Sequence, residues 1–184
     1  MDLSAKNYQD FLAGNQEVLT SIIRDYRDGL ILYLNGIIQN ISVAEELAED
    51  VFVKLVMKRP RFSSDSSFKT WLYTIGRNMA LSYIRRQKYT HIPLDNCPEL
   101  TDDEKNLEQQ YIQKEQQRVL HYVMKKLKAE YRQVLWLVYF EGFSQKETAR
   151  IMGKTVHNVE TLAYRARQAL KKKLLEEGFV YENL

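Results

Sequence analysis

Apolar residues return every third or fourth position through most of this chain, a period that belongs to amphipathic helices. Val18, Leu19, Ile22, Ile23, Tyr26, Leu30, Tyr33, Leu34, Ile37 and Ile38 keep it over one long helix, in which Gly29 and Gly36 are weak points or close packing contacts. A second helix carries Leu47, Val51, Phe52, Leu55 and Val56 on its apolar side. Ser42 and Glu45 have the spacing of a capping box at its start, and Pro60 bounds its end. After the polar loop Arg61 to Ser67, a third helix is predicted from about Phe68 to Arg86, with Trp71, Leu72, Ile75, Met79 and Ile84 at helical intervals. Phe68 and Trp71 are expected in the core, whereas Phe62 fits core or surface. No strand pattern or internal repeat interrupts this order, so the expected fold is all-α.

The C-terminal half adds a ligand to the picture. Ser144 to Arg167 reads SQKETARIMGKTVHNVETLAYRAR, the spacing of a helix-turn-helix, which places its second helix in a DNA major groove. Ser144 with Glu147 makes a capping box, Gly153 supplies the left-handed stop, and Thr155 caps the second helix. Ala149 lets the helices approach, and Ile151, Val156, Val159 and Leu162 give them a common apolar side. A plain helical hairpin inside a bundle is the bland alternative.

Charge changes the picture further. The net charge is only +3, but it is segregated along the 184 residues. Between Lys54 and Lys88, nine basic residues face Asp65 alone, and a second basic block runs from Arg118 to Lys173. Two basic modules suit two contacts with a polyanion, although solvated surface charge accounts for either block taken singly. Between them, the acidic, proline-bearing stretch Pro93 to Glu104 is expected to be a linker, with Thr101 and Glu104 able to cap the helix that follows. The expected division is a domain over 1–90, a linker over 91–116 and a second domain over 117–184.

Composition narrows the function classes. No apolar run reaches the ~18 residues of a membrane span and the start lacks a secretory layout, so a cytoplasmic protein without membrane insertion is expected. Cys97 is the single cysteine, which excludes an internal disulfide. His91, His121 and His157 are scattered and no glycine-rich phosphate loop occurs. No catalytic residue, metal or cofactor is therefore expected, and catalysis by this chain alone is disfavoured.

Ala44 to Phe52 reads AEELAEDVF, Phe62 follows, Phe68 to Ala80 reads FKTWLYTIGRNMA, and Arg85 and Arg86 close the segment. In this order they resemble the second region of bacterial sigma-70 factors. With the C-terminal helix-turn-helix, the chain resembles the small two-domain extracytoplasmic-function (ECF) group over about Leu19 to Leu175. The gap from Lys88 to Arg118 is too short for the extra middle domain of larger sigma factors.

The resemblance implies a promoter-specificity subunit that binds core RNA polymerase through the β′ clamp and the β subunit, and that reads duplex and single-stranded promoter DNA. Glu45, Glu46, Glu49, Asp50 and Phe52 fall on the helix that docks on the β′ clamp coiled coil. Glu46 stands for a commoner Asp and Glu49 for a commoner Gln, and both keep the surface acidic. Phe62, Ser63, Ser64, Asp65 and Ser66 match the loop that captures an unstacked minus-10 base, with Arg77, Asn78, Arg85 and Arg86 along the strand. Lys154, Thr155, His157, Asn158, Glu160, Thr161, Arg165 and Arg167 match the minus-35 reader. Many relatives carry a basic residue where Glu160 stands; its structural alternative is an exposed carboxylate paired with Lys154 or Tyr164. In relatives the linker threads polymerase channels. An anti-sigma partner, nucleoid association within the holoenzyme, and a free form that polymerase must open are further family-level expectations. The main competitor is a polymerase-independent repressor with a helical ligand-sensing N-terminal domain; a regulator that binds polymerase without DNA is a third class.

Overall fold

A computed structural model of the chain describes residues 3–63, 65–89 and 115–177. Ser64 and the expected linker segment with His91, Cys97, Thr101 and Glu104 lie outside the described residues. Among those described there are eight α-helices, one π-helical turn and no strand, gathered in two bundles.

The first bundle comprises α1 (Leu3–Leu12), α2 (Glu17–Ile38), α3 (Ile41–Lys58) and α4 (Phe68–Tyr89). A two-residue turn folds α3 back along α2. Gln39 takes a left-handed backbone (φ 59°) and its N–H returns to the Asn35 carbonyl at 2.8 Å. Asn40 then caps α3, its side chain accepting the Val43 N–H at 3.0 Å. The capping box expected at Ser42 does not form: the turn leaves only Asn40 in extended backbone, and Glu45 pairs with Arg27 at 2.6 Å. Leu30, Ile31 and Leu34 of α2 meet Leu47, Val51 and Leu55 of α3 and Phe68, Leu72 and Tyr73 of α4 in a dry core. Gly76 sets the approach of α4 to α2, because a Cβ there would meet the Leu30 side chain at 2.9 Å. Val56, expected on the core side, is exposed, since α3 buries the face of Ala44, Ala48, Val51 and Leu55 instead.

The second bundle comprises α5 (Glu115–Lys125), α6 (Ala129–Leu135), the π-turn Trp136–Phe140, α7 (Gln145–Met152) and α8 (Val156–Glu176). The π-turn lays the Trp136 and Phe140 rings parallel at 4.4 Å, with His121 edge-on to both. Ala149, Ile151, Val159, Ala163 and Ala166 are buried between α7, α8 and the rest of the bundle, while Val156, expected among them, is 40 % exposed at the start of α8.

The bundles dock on one another, α4 against α7 and α2 against α6. Arg132 is the buried pin of that junction. Its Nε donates to the Gly36 carbonyl at 2.7 Å, and its Nη1 donates to the carbonyls of Lys125, at 3.2 Å, and Leu127. Three carbonyls thus compensate a cation that would otherwise be costly to bury. Gln39 adds a hydrogen bond from its Nε2 to the Lys125 carbonyl at 2.9 Å.

Candidate nucleic-acid interface

The helix-turn-helix forms as its local chemistry dictates. Ser144 and Glu147 make both bonds of the capping box, Gly153 ends α7 at φ 63°, and the Thr155 hydroxyl accepts the Asn158 N–H at 3.2 Å to open α8. Val159, Ala163 and Ala166 turn inward. His157, Asn158, Glu160, Arg165 and Arg167 are therefore exposed on the opposite side, with Thr161 half-buried. Lys154, His157, Asn158, Thr161, Leu162 and Arg165 line one shallow open depression. Five of the eight minus-35 candidates thus share a surface that other groups leave open. Glu160 and Arg167 lie outside the depression, and Thr155 spends its hydroxyl on the cap. The alternative pairing of Glu160 with Lys154 is not found; Lys154 instead meets Glu130 at 2.8 Å.

The minus-10 candidates divide differently. Phe62 packs edge-on against Phe68 and Trp71, with ring centroids at 5.9 and 5.4 Å, so its ring anchors the loop to the core. The Ser63 hydroxyl donates to Asp65 at 2.9 Å, both residues being exposed, and Ser66 is half-buried. Ser67 opens α4, its hydroxyl accepting the Thr70 N–H at 3.2 Å. Along α4, Asn78, Arg85 and Arg86 are exposed, and the Arg85 guanidinium reaches the Ser82 hydroxyl at 3.1 Å. Arg77 is half-buried and donates to the Gln133 side-chain oxygen of the second bundle at 3.0 Å.

Sequence reasoning missed the residues around Arg77. Lys69 meets the Glu141 carboxylate at 2.8 Å and its backbone carbonyl at 2.7 Å. The hydroxyls of Ser67 and Thr70 both donate to Glu147 at 3.2 Å, and Arg150 donates to the Asp65 carbonyl. The Tyr73 ring meets Phe143 at 5.1 Å, and burial, reinforced by a hydrogen bond to Glu141, raises its hydroxyl well above the ordinary tyrosine value. Two carboxylates of the second bundle therefore occupy the cationic and hydroxyl-rich face of α4. Lys69 was legible as part of the basic block, but its partner 72 residues away was not.

On α3, Glu46, Glu49 and Asp50 are exposed and Glu45 is half-buried beside Arg27. Phe52 is only 6 % exposed and belongs to the core, as the apolar pattern predicts, so it is not available for the polymerase contact that the resemblance implies. Its turn of the helix follows the buried face, whereas Val53, Val56 and Met57 continue the acidic face as an exposed apolar strip. Acid followed by apolar surface on one helix fits a protein partner better than a nucleic acid. Among the described residues, no group of three or more His, Cys, Asp or Glu is placed to hold a metal, and no helix is long and apolar enough to cross a membrane.

Comparison with known proteins gives these surfaces a common origin. Residues 22–90 match the model of sigma-70 region 2, and residues 117–170 match that of sigma-70 region 4. The RNA polymerase sigma factor YlaC of Bacillus subtilis is 30 % identical over 162 residues, covering 87 % of this chain and 94 % of that protein. The ECF sigma factor SigW of the same organism is 25 % identical over 178 residues, covering 92 % and 95 %. In fold, the chain is similar to the sigma factor RpoE of Bartonella quintana in its complex with the anti-sigma factor NepR, at a TM-score of 0.64 and 20 % identity over 85 % of this chain and 96 % of that one. It is also similar to CnrH in complex with the cytosolic domain of CnrY, at 0.59 and 22 % over 96 % and 97 %. A ligand-sensing N-terminal domain finds no support, because that half is itself a sigma region. With region 2 and region 4 both matched, in that order, and a relative alike over nearly its whole length, the chain belongs to the sigma-70 family of RNA polymerase sigma factors, in its ECF group.

Proposed function

We propose that the chain recruits core RNA polymerase through α3 and reads a promoter with two surfaces, the loop 61–67 with α4 for the minus-10 strand and the depression on α8 for the minus-35 duplex. Residues 1–90 and 117–184 are then the two reading domains, joined by 91–116. Glu46, Glu49, Asp50, Val53, Val56 and Met57 meet the β′ clamp, and the second domain meets the β subunit. The chain acts by binding, without catalysis, in the bacterial cytoplasm, and joins the nucleoid when in the holoenzyme. An anti-sigma protein restrains it, as one accompanies the structural relative RpoE.

One observation carries this function: a single chain presents an exposed acidic and apolar helix face, a hydroxyl-rich cationic face and an open helix-turn-helix reader. In the docked form, Glu141 and Glu147 cover Ser67, Lys69 and Thr70, and Gln133 holds Arg77, so the free protein rests with part of its minus-10 reader covered and polymerase separates the halves.

The test is to sequence transcripts started by bacterial core polymerase on a genomic DNA library with and without the protein. New start sites preceded by two spaced elements are expected. Unchanged start sites with several bacterial core enzymes would refute the proposed function.

A further inference from the structure

The helix α1 lies ahead of the part of the chain that matches the family model, which begins at residue 22. It nevertheless touches the start of the loop assigned to minus-10 capture. Tyr8, fully buried, donates its hydroxyl to the Pro60 carbonyl at 2.8 Å. One residue earlier, Arg59 adopts a left-handed backbone (φ 42°), a conformation that costs a non-glycine residue energy, and its guanidinium lies 5.5 Å from the centre of the Phe11 ring. One residue beyond Arg61, Phe62 shares its two aromatic neighbours with α1: the Tyr8 ring stands 5.3 Å from both Phe68 and Trp71, against which Phe62 packs edge-on. Tyr26 of α2 holds the other end of α1, its hydroxyl donating to Ser4 at 2.6 Å.

We infer that α1 is a clamp that sets the register of the minus-10 loop, with Tyr8 and Phe11 as positioning residues that act through Pro60, Arg59 and Phe62 and touch no DNA themselves. This rests on the loop 61–67 being the base-capturing element. The loop enters from three fixed points, 59, 60 and 62, and leaves through the Ser67 cap of α4, so Ser63 and Asp65, joined by their own hydrogen bond, lie between two held ends. A tip held at both ends presents its backbone and side chains to an unstacked base in one geometry, and selectivity among bases depends on that fixed geometry. Burial pushes the Tyr8 hydroxyl up to about 12, against a smaller opposing effect of Arg59, so the hydroxyl remains a donor at any physiological pH.

The experiment uses the full chain assembled with core polymerase and a set of single-stranded minus-10 oligonucleotides, covering the element found by start-site mapping and each of its single-base substitutions. The quantity read is the ratio of affinities for preferred and substituted base. A variant that merely lowers the folded fraction weakens every oligonucleotide equally and leaves that ratio alone. Tyr8→Phe is expected to shrink the ratio roughly two- to tenfold, the factor that one net hydrogen bond is worth, and Phe11→Leu to shrink it in the same direction. The double change Ser63→Ala with Asp65→Ala tests the loop itself. If it alters the ratio while Tyr8→Phe and Phe11→Leu do not, the clamp is overturned and the loop assignment stands. If neither set alters the ratio, the loop is not the reader and the inference falls with it.

Discussion

Glu147 accepts hydrogen bonds from the Ser144 amide at 3.0 Å, the Ser144 hydroxyl at 2.8 Å, and the Ser67 and Thr70 hydroxyls at 3.2 Å. Burial pushes its carboxyl up, but those donors together outweigh it and hold the group below its ordinary value. A carboxylate depressed in the folded form contributes stability above its unfolded pKa and loses that stability as pH falls through the folded value. Acidification below the ordinary glutamate value near 4.3, through the lower folded value, is therefore expected to raise amide exchange in the first turn of α7 and to loosen α4 from α7. Glu147→Ala should flatten this acid response; an unchanged response would place the sensor elsewhere. Arg165 and Arg167 make a second contrast. Arg165→Ala should cost roughly 1–3 kcal/mol of base discrimination if it reads a guanine edge. Arg167→Ala should weaken all sequences alike and lower the salt slope by about 1. Holoenzyme binding to duplex promoters at several salt concentrations separates the two. The capping roles of Ser144, Gly153 and Thr155 were legible because each is settled within four residues. The bonds from Glu147 to Ser67 and Thr70 span 80 and 77 residues, and no local spacing announces them.

Helical periodicity found α2, α3, α4, α7 and α8, and it erred where a helix offers two adjacent apolar stripes. On α3, Ala44, Ala48, Val51, Phe52 and Leu55 are buried while Val53 and Met57 continue an exposed stripe, so Val56, assigned inward with Phe52, falls outside the buried face. The short α1 gave only Tyr8 and Phe11 as buried anchors, too few to register as a period. The π-turn after α6 left no signal either, because Trp136 and Phe140 sit four apart as they would in an ordinary helix. At the start of α8 the balance is simple. Thr155 supplies the cap, and Thr155→Ala is expected to cost about 1 kcal/mol in chemical denaturation, with faster exchange confined to the first turn, where His157 and Asn158 sit. A loss spread evenly over α8 would mean that the cap does not hold that turn.

The docking of the two bundles carries costs of its own. Tyr33 Oη and Trp136 Nε1 are buried without a hydrogen-bond partner among the described residues, and a group left so costs about 1–3 kcal/mol. Gly29 gives the Glu141 and Tyr73 side chains their room at the junction. A Cβ there would meet a Glu141 carboxylate oxygen and the Tyr73 hydroxyl, each at 2.7 Å. Gly29→Ala would otherwise favour α2 by about 0.5–1 kcal/mol, so it is expected to drive the halves apart without unravelling the helix. A larger scattering radius and tighter minus-10 oligonucleotide binding by the free protein are the outcomes to look for; no change in either would show that the junction yields around a methyl group. Its members were individually visible in the sequence, Lys69 and Arg77 as basic residues and Glu141 as an acid. Their meeting depends on the relative placement of two bundles, which no single helix encodes. The docked arrangement covers the Lys69, Thr70 and Arg77 side of α4 but leaves the α8 depression open to solvent. Under the proposed function, a lone molecule would meet duplex DNA through α8 while part of its strand-binding surface stays engaged, and strand capture would wait for the enzyme that can use it. Search would then precede commitment in time, and wandering copies of the protein would leave the genome closed.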